Sequence, residues 1–178
     1  MRRNRIERAG VRRLANWQQR RPLMHIQALP TDLVRHWQAG GADAHGQRPE
    51  PAISDGNGNP CRHCLNLIPQ GAGYLIVAHR PFHSLQPYAE CGPLFVCADA
   101  CTRFEDHGTL PEALKSSPDF LIKGYGRNER IIYGTGTIVT PEEMPARVAD
   151  IFTDPQIAFI HVRSARNNCY QARIDRTP

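Results

Sequence analysis

Phe120-Leu121-Ile122-Lys123-Gly124-Tyr125-Gly126-Arg127-Asn128-Glu129-Arg130-Ile131-Ile132-Tyr133-Gly134-Thr135-Gly136-Thr137-Ile138-Val139 sets two β-favouring runs on either side of a turn, Gly126 to Glu129. This is the pattern of an antiparallel hairpin. Thr140-Pro141-Glu142-Glu143 then opens a helix, with Thr140 as cap, Pro141 at the first helical position and Glu143 completing a capping box. The helix runs through Val148, Ile151 and Phe152 and stops before Asp154-Pro155. Ile157 to Val162 and Tyr170 to Ile174 read as a last hairpin around Ser164 to Asn168. Strands joined by tight loops, with helices that do not alternate regularly, predict an α+β domain: a mainly antiparallel sheet with two or three helices packed on one side.

Working back toward the N-terminus, His25 to Leu29 alternates as a first strand ended by Pro30. Thr31 is placed to cap a short helix, Asp32 to Ala39, stopped by Gly40-Gly41. Ala42 to Asn59, with its Asp55-Gly56 and Asn57-Gly58 dipeptides, reads as a surface loop. Tyr74 to His79 and Pro93 to Cys97 are two further strand-like runs, separated by the loop Ser84 to Gly92.

Charge is unevenly spread. The 178 residues sum to +5, but Met1–Leu23 holds eight Arg against one acid and the remainder is negative. The high isoelectric point therefore belongs to a basic extension, residues 1–23, rather than to the domain at 24–178, and a nucleic-acid footprint across the domain is not expected. Met24, directly before the first strand, is expected to be the true start, with the extension upstream of it or disordered. No apolar run is long enough to span a membrane and no signal peptide opens the chain, so a soluble, cytoplasmic protein is expected. In that compartment thiols stay reduced, and clustered cysteines point to metal, redox chemistry or packing.

Five of the six cysteines lie between Cys61 and Cys101. Cys61-Arg62-His63-Cys64 with His79 and His83 imitates a two-Cys, two-His finger, but Pro81 denies the two His a shared helical face. Pairing Cys61 and Cys64 with Cys97 and Cys101 instead would close a tetrahedral thiolate site suited to zinc or an iron–sulfur cluster, and leaves Cys91 unexplained. A thiol-redox alternative rests on Cys61-Arg62-His63-Cys64, whose cationic neighbours would lower a thiol's pKa and generate a nucleophilic thiolate. A thioredoxin-like version of it meets Pro69 where a long helix should run. The plain alternative treats the cysteines as small hydrophobes, although Arg62 is then hard to bury without an acidic partner or an anionic ligand.

The last hairpin offers a second constellation. With its turn centred near Arg166, His161 faces Gln171, Arg163 faces Cys169, and His161 lies diagonal to Cys169, a candidate nucleophile pair. Tyr88, Tyr125 and Arg163 are candidate ligand contacts. Gly124-x-Gly126 and Gly134-x-Gly136 open no helix and are hairpin glycines rather than a phosphate loop.

Pro60-Cys61-Arg62-His63-Cys64-Leu65, Pro87-Tyr88-Ala89-Glu90-Cys91-Gly92-Pro93-Leu94-Phe95-Val96 and the run from Asp154-Pro155 through Ala158-Phe159-Ile160-His161-Val162-Arg163 to Asn168-Cys169-Tyr170 and Arg173-Ile174-Asp175-Arg176 occur in order. Together they resemble the bacterial family catalogued as domain of unknown function 1203, over about Met24 to Arg176. The resemblance implies a small stand-alone bacterial protein with no assigned activity and carries over no catalytic residue. It emphasises Cys61, Arg62, Tyr88, Gly92, Pro93, His161 and Cys169. Three functions stay open on the sequence: a thiol- or anion-binding activity drawn from Cys61, Arg62, His161 and Cys169 with a small anionic ligand, a metal module of Cys61, Cys64, Cys97 and Cys101, or an interaction protein without catalysis.

Overall fold

The computed structural model describes residues 24–176. The basic extension, and with it the expectation that Met24 is the true start, lies outside the described residues. Among the described residues eight strands form two antiparallel sheets. The larger contains β1 (Met24–Gln27), β5 (Phe120–Tyr125), β6 (Thr137–Val139), β7 (Phe159–Ser164) and β8 (Tyr170–Arg176), in the order β1-β8-β7-β5-β6. The smaller contains β2 (Glu50–Ile53), β3 (Gly73–His79) and β4 (Gly92–Cys97), with β3 central. Among the described residues two α-helices, α1 (Thr31–Gln38) and α2 (Met144–Ile151), and a 3-10 turn at Glu112–Leu114 give an α+β architecture. Among the described residues no helix is long and apolar enough to cross a membrane.

Each helix belongs to a different core. Met144, Val148 and Ile151 of α2 cluster with Ile26, Phe120, Ile122, Ile160, Val162 and Ile174 from one face of the larger sheet, and Leu65 and Leu114 fill the same space. Val34 and Trp37 of α1 cluster with Val77, Leu94, Val96 and Cys61. Each fully buried aliphatic side chain contributes about 2 kcal/mol relative to exposure, which makes these two clusters the main source of stability.

Alternation puts Phe159, His161 and Arg163 of β7 on the face of the larger sheet away from α2. The β3–β4 loop covers part of that face through Phe82, which clusters with Tyr125 and Phe159. The two sheets adjoin at Cys61-Arg62. Cys61 bridges Phe95 of β4 in parallel, the Arg62 amide donates to the Phe95 carbonyl at 3.0 Å, and Arg62 Nε donates to the Tyr170 carbonyl of β8 at 2.9 Å.

Several local features differ from the sequence reading. The expected loop Ala42–Asn59 contains strand β2, an edge strand in which Pro51 costs no ladder bond on its outer side. The run Arg130–Val139 is not one strand. The Gly126–Arg130 turn forms and Tyr125 bridges Ile131, but Gly134, at φ 89°, carries the chain out of register, and Thr135 Oγ1 takes over the Gly124 amide at 2.9 Å before β6 resumes. Thr31 does not cap α1. It is the first helical residue, and its hydroxyl meets His63 Nε2 at 3.0 Å.

The Thr140–Glu143 capping box is present in both directions, at 3.1 and 3.3 Å, on the turn that precedes α2. In the last hairpin His161 pairs with Arg173 and Arg163 with Tyr170, not with Gln171 and Cys169. An irregularity between Val162 and Arg163 shifts the ladder by a residue.

Candidate metal centre

Residues Pro60–Leu67 fold into a knuckle. Pro60 bridges Leu67, the Cys61 amide donates to the Asn66 carbonyl at 2.9 Å, and the Leu65 amide returns to the Cys61 carbonyl at 3.0 Å with Leu65 at φ 52°. Such a turn aims two side chains spaced x2 at one point. Opposite it, β4 ends at Cys97 and the following loop brings back Cys101. The four sulfurs of Cys61, Cys64, Cys97 and Cys101 lie within 4.8 Å of one another.

The surrounding shell donates to this group. Cys61 Sγ accepts from the Cys97 amide at 3.3 Å and the His63 amide at 3.5 Å, and His63 Nδ1 contacts Cys101 Sγ at 3.0 Å. Helix α1 grips the loop that carries two of the cysteines: Gln38 donates to the Cys97 and Asp99 carbonyls at 2.8 Å each, and Arg35 to the Cys101 carbonyl at 2.9 Å. As free thiols the four are unequal. Hydrogen bonds from the Cys64 and Cys97 thiols hold Cys61 far below its ordinary pKa. The bond with Cys61 raises Cys64 and Cys97, and burial followed by the charges of Cys61 and Cys64 pushes Cys101 up to about 12. One thiolate forms easily there, and each further one is opposed by the first.

The other sequence candidates fall elsewhere. Arg62 is buried, with its guanidinium on the Tyr170 and Pro60 carbonyls and over the Phe95 ring, 5.5 Å from its centroid. His161 is fully buried among Phe82, Tyr125, Phe159 and Tyr170, at centroid distances of 4.7–5.1 Å, and neither ring nitrogen has a hydrogen-bond partner among the described residues. Tyr125 stacks on Phe159, with its hydroxyl beside the Arg163 guanidinium. Tyr88 lies apart, its hydroxyl 3.1 Å from that of Tyr133 and Arg130 over its ring.

Cys169 and Arg163 line a separate cavity of about 400 Å³ between the sheets, together with Cys91, Glu90, His79 and Tyr170. The structure thus joins the four proposed metal ligands and separates Cys61 from Cys169. Sequence reasoning missed His63, Thr31 and Gln38 as the supporting shell. Of these, only His63 carried a signal, its place inside the x2 spacing.

No curated protein and no solved structure matches this chain. Residues 58–176 match the family described as Protein of unknown function (DUF1203), a span that holds the knuckle, Cys97, Cys101, β7 and β8, and the chain belongs to that family.

Proposed function

We propose that this protein binds one divalent ion of the zinc class through Cys61, Cys64, Cys97 and Cys101, and that the ion serves structure rather than catalysis. The observation that carries the reading is the convergence of four sulfurs within 4.8 Å. A tetrahedral zinc with bonds near 2.3 Å needs sulfurs about 3.8 Å apart, so a small contraction around the ion suffices. An iron–sulfur cluster distributes its thiolates over several irons and would spread them further, which favours a single ion. Soft thiolate donors select zinc over calcium or magnesium.

Four protein ligands leave no open position for substrate or water, the hallmark of a structural site. The ion would fasten the end of β4 and the α1 contacts to the knuckle, and so hold Arg62 between the sheets. The amide and His63 contacts to sulfur are what orients thiolates and tempers their charge in such centres. A nucleophilic Cys61 is disfavoured by its complete burial.

The test is elemental analysis of the purified full chain with a count of reactive thiols, followed by cobalt substitution. One metal per chain, four protected thiols and the intense sulfur-to-cobalt charge-transfer bands of a tetrahedral four-thiolate site are expected. Metal-free protein in which Cys61 and Cys64 are alkylated as fast as small-molecule thiols would overturn the reading.

A further inference from the structure

Given the metal centre proposed above, on which this step rests, we infer that its occupancy fixes helix α1 and, through α1 and Arg62, one wall of the cavity between the two sheets. Thr31, Arg35 and Gln38 stand at i, i+4 and i+7, on one face of α1. All three reach the segment that carries the cysteines. The Thr31 hydroxyl meets His63 Nε2, and His63 Nδ1 meets Cys101 Sγ, each at 3.0 Å. Arg35 holds the Cys101 carbonyl, and Gln38 those of Cys97 and Asp99.

Neither side of this contact supports itself. Helix α1 has eight residues and no side-chain hydrogen bond capping its N-terminus, well short of the roughly 12–15 residues at which a helix begins to hold alone. Residues 98–104 form no helix or strand, and their backbone bonds to the rest of the chain lie at the two ends, Ala98 to Gly73 and Phe104 to His63. Between those ends Arg103 ties the segment to the Ala28 and Leu29 carbonyls, just ahead of α1. An ion on Cys97 and Cys101 would pin the segment, and the polar face of α1 rests on it. Without the ion that face loses its footing, and α1 keeps chiefly the apolar contacts of Val34 and Trp37.

Two routes lead from there to the cavity. The Trp37 ring stands edge-on to His79 at 5.6 Å, and His79 to Tyr170 at 6.0 Å. Arg62, which follows Cys61, donates to the Tyr170 carbonyl at 2.9 Å. His79 and Tyr170 both line the cavity, beside Cys169. A shift of α1 or of the Cys61–Arg62 corner therefore displaces the same stretch of cavity wall, and α1 is the element that both sites bias.

Hydrogen exchange read by mass spectrometry on the full chain, zinc-loaded and then stripped by a chelator under reducing conditions, tests the coupling, with alkylation of Cys169 by iodoacetamide as the readout at the cavity. Removing the metal is expected to speed exchange across α1 at least tenfold, roughly, and alkylation of Cys169 by a similar factor, while α2, β5 and β7 keep their protection. Reciprocally, Gln38→Ala should still bind one zinc per chain but hold it about tenfold less tightly against a competing chelator, the ratio for one or two hydrogen bonds. Exchange in α1 or alkylation of Cys169 that does not respond to metal removal refutes the coupling and leaves the metal centre standing, as does unchanged zinc retention in Gln38→Ala. Loss of protection in α2, β5 and β7 together with α1 also refutes it, because the chain then opens as a whole. A purified chain that holds no metal and takes up neither zinc nor cobalt removes the metal centre and the coupling alike.

Discussion

His161 offers the sharpest test of how the polar face of the larger sheet is built. Its side chain is fully buried, four aromatic rings surround it, and neither nitrogen is hydrogen-bonded among the described residues. Burial first, and then the nearby charges of Arg163, Arg173, His79 and Lys123, hold its pKa well below 6.5. The folded chain therefore keeps a neutral imidazole, while the unfolded chain takes up a proton as pH falls through 6.5. Stability from this group is fully present above 6.5 and is lost below it, at about 1.4 kcal/mol per pH unit. By pH 5 the loss reaches about 2 kcal/mol, on the order of 4–8 °C in Tm for a chain of this size.

Replacing His161 by Phe keeps an aromatic ring in the aromatic enclosure and removes the titration. Urea unfolding of both proteins at about pH 7.5 and pH 5 isolates the effect, because the difference in slope is read rather than absolute stability. Acid sensitivity of the thiolate centre enters both proteins alike and cancels. The variant is expected to lose about 2 kcal/mol less than the parent over this interval. Equal losses would mean that His161 is solvated or charged in the folded state, and the account of this face would be wrong.

Removing the metal with a strong chelator should lower stability by about 4 kcal/mol where free metal had stood near a thousandfold over Kd, on the order of 10 °C by calorimetry, and Cys101→Ser should reproduce that loss without chelator. Burial raises the Glu129 carboxyl, but the amides of His83 and Ser84 and the Ser84 hydroxyl outweigh it and hold the pKa at about 2. Stability from Glu129 is thus complete above 4.5 and lost as pH falls toward 2; Glu129→Gln should cost up to about 3 kcal/mol at neutral pH and flatten the acid limb of the unfolding curve. Thr140→Ala should cost about 1 kcal/mol in urea unfolding by opening the capping box. Gly124→Ala sets a methyl 3.0 Å from Ile157 Cδ1 and 3.1 Å from Thr135 Oγ1, and should cost about 1–3 kcal/mol in the same assay.

The elements that sequence located well are those whose signal is local. The runs at Tyr74–His79 and Pro93–Cys97 became β3 and β4 nearly residue for residue, because β-branched and aromatic residues bounded by Gly and Pro leave little choice. The capping box declared itself through residues three apart. What failed depended on partners distant in sequence. Strand β2 has no apolar alternation and exists because β3 offers it an edge, and neither the one-residue shift of the turn that pairs Arg163 with Tyr170 nor the further one-residue irregularity at Val162/Arg163 that pairs His161 with Arg173 leaves a mark in composition.

The candidate site divides the same way. The x2 spacing at Cys61 and Cys64 was legible; its pairing with Cys97 and Cys101 rested on supposing that the strand ending at Val96 lies beside Cys61, which the Cys61–Phe95 bridge supplies. The shell from α1 was not legible, since Arg35 and Gln38 look like ordinary surface residues of an amphipathic helix.

Arg62 shows how the two levels connect. On sequence it is a cation that needs an anion, and among the described residues no carboxylate lies within ion-pair distance of it. Burial lowers its pKa to about 10, while Cys169, Cys61 and Tyr170 act in the opposite direction, so it stays charged at neutral pH inside the protein. Two carbonyls and the Phe95 face solvate it but do not neutralise it. A divalent ion bound by four thiolates would carry a net charge of about −2 on a centre that includes Cys61, the residue before Arg62, with Arg35 fixed on the Cys101 carbonyl and Arg103 on those of Ala28 and Leu29. The proposed centre would thus supply part of the counter-charge that buried arginine requires, and the arginine would offset part of the charge that four clustered thiolates accumulate. On that reading Arg62 and the metal centre stabilise each other across the Cys61–Arg62 peptide.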